Sequence, residues 1–196
     1  MDEIIAKLKG GDLRSIGRVE EVVSDILRDF SLFPDVFKAM SDEDPVVRMR
    51  AADASEKVSR VCPQYLQPFK DQLLDGISKI EQQEVRWHLA QMLPRLVLEK
   101  NEILRTTNLL ISWLDNSKSN IVRVNSLQAI ADIANKYPDY RSLVTVKIEE
   151  VLSSGNPALK SRGKKLMGLL KSWNKAAEIN STCNDYDSEC ETVKTK

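Results

Sequence analysis

The sequence is poor in the residues that mark most enzymes and most secreted folds. It holds one histidine, three cysteines, seven glycines and seven prolines in 196 residues. Cys62, Cys183 and Cys190 are odd in number and widely spaced, with two of them in a polar C-terminal segment, so they make no disulfide framework. One histidine and no CxxC pair exclude the common zinc sites. So little glycine and proline does not suit a fold of many short strands and tight turns. Charge of one sign is also lacking. Lys+Arg and Asp+Glu are both 29, so no global basic field would steer the chain onto nucleic acid. No apolar run approaches the roughly 18 residues of a membrane span, and no membrane partner is expected. No phosphate-cradling or dinucleotide glycine motif is present, and Gly10-Gly11 reads as a turn. Met1-Asp2-Glu3-Ile4-Ile5 has no basic segment ahead of an apolar run of the secretory kind. The expectation is a complete chain in a reducing, cytoplasmic setting, where Asn180-Ser181-Thr182 matches a glycosylation acceptor only by chance.

What the chain does have is a repeat. Asp44-Pro45-Val46-Val47-Arg48-Met49-Arg50-Ala51-Ala52 aligns with Gln82-Gln83-Glu84-Val85-Arg86-Trp87-His88-Leu89-Ala90. Ser119-Asn120-Ile121-Val122-Arg123-Val124-Asn125-Ser126-Leu127 follows the same pattern, and Asn156-Pro157-Ala158-Leu159-Lys160-Ser161-Arg162-Gly163-Lys164 follows it more weakly. The basic residue recurs at 48, 86, 123 and 160, in steps of 38, 37 and 37. A degenerate copy at Asp12-Leu13-Arg14 would precede these by a step of 34. Asp44, Ser119 and Asn156 are N-cap types, and Pro45 and Pro157 sit where a missing N–H costs nothing. Val47, Ala51, Ala54 and Val58 then step at helical spacing, as do Val85, Leu89, Met92 and Leu96. Val122, Ser126, Ala129 and Ile133 repeat the stripe, and so do Leu159, Gly163, Leu166 and Leu170. Partner helices are expected over 66–80, 103–114 and 140–152, with Pro63, Pro68 and Pro138 near their starts. Ser31 to Met40 would be the first helix of the first hairpin. Pro94 falls inside a second helix and is expected to kink it. A 37-residue hairpin cannot bury its apolar face alone, so neighbours must stack. The expected organisation is an N-terminal helical cap over 1–30, broken at Gly10-Gly11, repeats over 31–173, and a disordered polar tail over 174–196.

The pattern Asp-x-x-Val-Arg-x-x-Ala, from Asp44 to Ala51, resembles the second helix of HEAT repeats, over about residues 31–173. Only the first copy carries the Asp; the others have Gln82, Ser119 and Asn156. The resemblance implies an all-α fold, a right-handed α-solenoid of about four HEAT-like hairpins. It also implies that second helices line a concave face where a protein partner binds. Arg48, Arg86, Arg123 and Lys160 would then be a structural ladder between repeats.

On the helical wheel, the flank opposite that ladder carries the candidate partner-binding column. It holds Arg50, Asp53 and Lys57, then Trp87, His88, Gln91 and Arg95. The third repeat adds Asn125, Gln128 and Asp132, and the fourth adds Arg162 and Lys165. Arg50, His88, Asn125 and Arg162 share one line of it. Trp87 is the strongest single candidate, since Trp and Arg are the usual anchors at interface centres. His88 has no neighbour in sequence that would orient it as a general base, and no carboxylate pair recurs. The expectation is therefore a non-enzymatic interaction scaffold, a monomer that binds a protein partner, with no catalytic residue, metal or cofactor.

Nucleic acid is a less favoured partner. Lys160, Arg162, Lys164, Lys165, Lys171 and Lys175 make a basic end with no acid between them, ahead of a tail that holds Glu178, Asp185, Asp187, Glu189 and Glu191. Resemblance to HEAT-like alkylpurine DNA glycosylases is an alternative, and Trp113-Leu114-Asp115 offers the aromatic and the acid it needs. A bilin lyase of the HEAT-like kind is a third reading.

Overall fold

The computed structural model describes residues 2–154 and 156–173, and among these every regular element is helical, with no strand. The tail expected to be disordered, with Cys183, Cys190, Lys175 and the Asn180 acceptor, lies outside the described residues. The chain divides into two compact units, Met1–Ile130 and Ala131–Lys196.

The first unit opens with α1 (Asp2–Ala6) and α2 (Val19–Arg28). Between them Gly10, Gly11 and Gly17 take φ of 78°, 76° and 57°. Asp12-Leu13-Arg14, aligned with the repeat in sequence, is a turn in this loop and not a helix start. The Arg14 N–H bonds Asp12 Oδ1 at 2.8 Å, and a helix starts only at Val19. The expected first helix over 31–40 is shorter, α3 (Phe33–Lys38), with a 3-10 turn on each side.

Helix α4 (Pro45–Val61) begins as its sequence dictates. The Asp44 side chain accepts from Val46 N–H at 2.8 Å, and Pro45 occupies the first turn. Val47, Ala51, Ala54 and Val58 are fully buried. Helix α4 packs against α2, α3 and α6 (Gln83–Met92). Three neighbours explain why its polar Arg50, Asp53, Ser55, Glu56 and Ser59 are buried too. Its small residues, Ala51, Ala52 and Ala54, let those neighbours approach.

The expected helix over 66–80 is instead a 3-10 stretch (Pro63–Phe69), a short α5 (Lys70–Asp75) and a further 3-10 turn (Ile77–Lys79). Pro68 inside the stretch withholds a backbone donor, which keeps it from becoming an α-helix. All four phenylalanines gather here: Phe37 stacks on Phe69 at 4.3 Å, Phe33 meets Phe69 edge-on at 5.5 Å, and Phe30 lies 5.6 Å from Phe33. Pro94 ends α6 and does not kink it; the helix stops at Met92 and gives way to a 3-10 turn over Leu93–Arg95.

Helix α7 (Lys100–Asn116) starts with the Glu99 N–H donating to the Glu102 carboxylate at 2.7 Å. It is tied to α5 by ion pairs, Lys70 with Glu102 at 2.7 Å and Arg105 with Asp75. Helix α8 (Asn120–Lys136) continues past the division.

The second unit holds the end of α8, a 3-10 turn (Pro138–Tyr140), α9 (Arg141–Ser153) and α10 over 157–173. The Asn156 side chain caps α10, accepting from Ala158 and Leu159 N–H at 3.0 and 3.2 Å. Leu159, Leu166 and Leu170 are buried together with Val144, Ile148 and Val151 of α9. A Cβ on Gly163 would lie 3.4 Å from Leu152 and 3.5 Å from Val151, so the two helices approach closely there.

Candidate functional site

The repeated arginines Arg48, Arg86 and Arg123 lie in the first turns of α4, α6 and α8. Arg48 donates to the Asp42 and Glu43 carbonyls at 2.7 and 3.0 Å, and to Gln82 Oε1 at 2.8 Å. Gln82 in turn donates to the Pro45 carbonyl at 2.8 Å, which ties the starts of α4 and α6 together. Arg86 donates to the Ile80 carbonyl at 3.0 Å, and Arg123 to the Leu114 carbonyl at 2.8 Å. Each guanidinium thus takes up a carbonyl left open just upstream, where the preceding turn or helix ends. Arg86 also lies 5.6 Å over the Trp113 ring. Trp113 is 5% exposed, so its face is not open for a base to stack on, while Asp115 is exposed. Lys160 in the second unit is half-buried on α10.

The opposite flank holds a pocket of about 370 Å³. Its floor is helical: Met49, Asp53 and Lys57 come from α4, and Trp87 and His88 from α6. Arg50 joins the lining, so five residues of the expected column meet in this one cavity. Its roof is the loop before α2, with Leu13, Arg14, Ser15 and Ile16. Sequence reasoning did not place that loop here. Leu13 and Ile16 are 43% and 48% exposed, and two apolar residues between glycines were the available signal.

Arg50 is a correction to the expected column. It is 2% exposed and offers no free surface to a partner. Its Nη1 donates to the Leu8, Lys9 and Gly10 carbonyls at 3.0, 3.1 and 2.7 Å, and its Nε donates to the Ser15 carbonyl at 3.1 Å. The guanidinium pins the loop onto α4. Gly17 makes this possible, because a Cβ there would sit 2.7 Å from Arg50 Cζ. A Cβ on Gly11 would come within 3.1 Å of Arg50 Nη2.

Lys57 bridges Glu20 of α2 at 2.6 Å and Asp53 at 3.1 Å. Burial opposes its charge, but those two partners raise its pKa above the ordinary lysine value. His88 is 9% exposed, and its Nδ1 has no hydrogen-bonding partner. Burial pushes its pKa down to about 4, against the pull of Asp53 and Glu56, so the imidazole is neutral at pH 7. Trp87 is half-buried beside it, with ring centroids 5.5 Å apart.

Gln91 and Arg95 sit farther along, around a buried carboxylate that the sequence did not mark. Glu56 is fully buried and meets Arg60 at 2.6 Å and Arg95 at 2.7 Å. Arg95 also donates to Ser59 Oγ at 2.5 Å, and Arg60 to Gln91 Oε1 at 3.4 Å. Burial alone would raise the Glu56 pKa, but hydrogen bonds from Arg60 and Arg95 hold it below the ordinary carboxylate value. Arg95 is thus a strut to a buried charge, held in the packing between α4 and the turn after α6. Asn125 and Gln128 are half-buried on α8, with Asn125 Nδ2 donating to the Ile121 carbonyl at 2.9 Å. In the second unit, Asp132 and Lys165 are exposed and Arg162 is half-buried.

Among the described residues no group of three or more His, Cys, Asp or Glu could hold a metal ion. None of the described helices is long and apolar enough to cross a membrane. No protein-family model, no curated protein and no solved structure matches the chain.

Proposed function

We propose that this chain is a short α-solenoid of HEAT-like hairpins that works as a protein-interaction scaffold in the cytoplasm. The partner is received on the second-helix side, with the pocket between α4, α6 and the 13–16 loop as the anchoring point. The observation that carries the reading is the pocket itself: it gathers Asp53, Lys57, Trp87 and His88 under two exposed apolar residues, Leu13 and Ile16. Convergent polar groups in a mostly apolar concavity are what a binding site needs. The side-by-side packing of α2, α4 and α6 supports the solenoid, because repeat neighbours stack in that way. The chemistry around His88 favours binding over catalysis. A histidine held neutral down to about pH 4, with no carboxylate orienting it, is poorly suited to proton transfer near neutrality.

The test compares wild type with Trp87→Ala in a tagged pull-down from native lysate, read by mass spectrometry. Trp87 is half-buried and is not a core residue, so the variant keeps its fold, which circular dichroism checks. A protein retained by wild type and lost by the variant supports the reading. Equal recovery from both moves the interaction off this pocket. Nucleic acid recovered by both would direct attention to Lys164, Lys165 and Lys171, which are exposed on α10.

A further inference from the structure

Helix α10 breaks the repeat along one flank. In the register of the repeat, Ala52 of α4, Ala90 of α6 and Leu127 of α8 share one place, and all three are fully buried. One and two turns on, Ser55 and Ser59 of α4 and Ile130 and Ala134 of α8 are fully buried as well. The same places in α10 are Lys164, Met167 and Lys171. The two lysines are exposed and Met167 is half-buried. A flank that is interior in α4 and α8 is thus open and charged in α10.

That charge is of one sign. Helix α10 carries Lys160, Arg162, Lys164, Lys165 and Lys171, and no acid. Lys160, Lys164, Met167 and Lys171 step by four, three and four, so they form one line down the helix. At a rise of about 1.5 Å per residue the line is about 16 Å long. Lys147 of α9 is paired with Glu150 at 2.8 Å, but Lys160, Lys164 and Lys171 have no ion-pair partner among the described residues. Like charges one turn apart on a helix repel, so an anionic chain laid along this line is favoured.

The nearest such chain is covalently attached. Past Trp173 come Glu178, Asp185, Asp187, Glu189 and Glu191, with no base from the first to the last. Glu178 is five residues beyond Trp173, within about 18 Å of extended chain, and the later acids have more slack. Every one of them can therefore reach the line. Exposed ion pairs are individually weak, so a free acidic peptide would hold the flank poorly. A tethered one is present at an effective concentration in the millimolar range, and that favours this occupant over any anion in solution.

We infer that the basic flank of α10, centred on Lys164 and Lys171, is a docking surface for the acidic stretch 178–191 of the same chain, which holds the flank against other polyanions. The inference does not depend on the pocket between α4 and α6.

The test compares the full-length protein with a variant whose acidic stretch is neutral: Glu178→Gln, Asp185→Asn, Asp187→Asn, Glu189→Gln and Glu191→Gln. All five changes lie beyond α10, and circular dichroism checks that helicity is kept. A limiting dose of an acetylating reagent, read by mass spectrometry, should modify Lys164 and Lys171 more slowly in wild type than in the variant. Lys118, exposed and unpaired among the described residues, is the internal control and should react alike in both. The difference should disappear in about 0.5 M salt, where charges are screened over a few ångströms. Carbodiimide, which joins amines to carboxylates in contact, should link Lys164 or Lys171 to acids within 178–191. A capped polyaspartate peptide and a thymidine oligonucleotide should each bind the variant, and should bind wild type about tenfold more weakly, because the flank is then mostly occupied. Adding Lys164→Gln and Lys171→Gln to the variant should remove most of that binding.

Equal acetylation of the two lysines in wild type and variant would overturn the inference. So would crosslinks from them that never reach 178–191, or probes that bind both proteins equally or do not bind the variant. Protection that persists in the variant and grows with protein concentration would assign the flank to a second copy instead, and would overturn it too.

Discussion

His88 links the site to stability through one side chain. In the unfolded chain its imidazole titrates near 6.5, and in the fold burial pushes that down to about 4. Between those values the unfolded state binds a proton that the native state does not. Stability is therefore fully present above pH 6.5 and is lost as pH falls toward 4. Asp53 and Glu56 face the ring and oppose the shift, Lys57 and Arg60 reinforce it, and burial outweighs all four. The loss should reach about 3 kcal/mol by pH 4, from a shift of about 1.4 kcal/mol per pH unit. Urea midpoints at pH 7.5, 5.5 and 4.5 should fall steadily in wild type and stay flat in His88→Phe over the same range. Glu56 has the same sign but acts lower, since its carboxyl is held below the ordinary range and protonates only in stronger acid. A wild-type curve flat to pH 4.5 would mean that His88 is protonated in the fold. Arg50 is the second residue on which the pocket depends. Arg50→Leu strips the donor from four carbonyls and should cost roughly 3 kcal/mol, because some of them are left buried without partners. Gly17→Ala should cost roughly 1–3 kcal/mol from its φ of 57° alone, with the contact to Arg50 added. Both variants should become sensitive to proteolysis between residues 9 and 18, and a loop as resistant as in wild type would disprove the pin. Trp87, His88, Asp53 and Lys57 could be placed together from the helical wheel, because Asp53 and Lys57 sit one turn apart on α4 and Trp87 and His88 are adjacent on α6. Leu13, Ile16 and the inward turn of Arg50 could not. They depend on a contact 35 to 42 residues apart in sequence and on backbone angles that glycine only permits.

At the scale of the element, the repeat pattern carried α4, α6, α8 and α10 well, and local chemistry explains where it did not. The start of α4 was readable from Asp44 and Pro45 because an N-cap is decided within a few residues. The stripes through α4, α6, α8 and α10 were readable because burial follows the 3.6 period whatever the neighbour is. The segment over 63–80 was not, since its aromatic contacts with α3 and the effect of Pro68 break one amphipathic run into three short pieces. Helix α4 departs from its own pattern in another way. A helix with three neighbours buries residues on every side, so its polar flank became interior and drew in Arg60 and Arg95 as partners for Glu56. Its small residues are then a strict requirement. Ala51 is fully buried, and Ala51→Leu should overpack the contact and cost roughly 1–3 kcal/mol. Val61, 65% exposed at the end of the same helix, serves as the control, and Val61→Ala should move stability by under about 0.5 kcal/mol. Denaturant midpoints for the pair decide the matter, and an unchanged Ala51→Leu midpoint would place that residue outside the core.

At the scale of the whole molecule, a repeat array and a single cooperative globule make different demands on the same contacts. In an array each hairpin meets only its neighbours, so stability is a sum of local and nearest-neighbour contributions and damage stays near its source. A globule unfolds as one, and a lesion anywhere loosens every slow amide. The two compact units, divided at Ile130 and Ala131, give natural places to watch. Ala51→Leu strikes the first unit inside α4, far along the chain from α9 and α10. If the solenoid proposal is right, hydrogen exchange followed by mass spectrometry should show faster exchange in α4 and in α2 and α6, which both pack on it. Amides of residues 141–173 should keep their wild-type protection. The reciprocal lesion is Gly163→Leu, which forces side-chain atoms against Val151 and Leu152 at a site where even a Cβ is already in contact. It should speed exchange in α9 and α10 and leave α2 and α4 as they were. Equal acceleration in both units from either lesion would mean one cooperative fold. The repeat would then be a pattern of sequence with no mechanical counterpart, and the partner site between α4 and α6 would have to be sought in a molecule that responds as a whole.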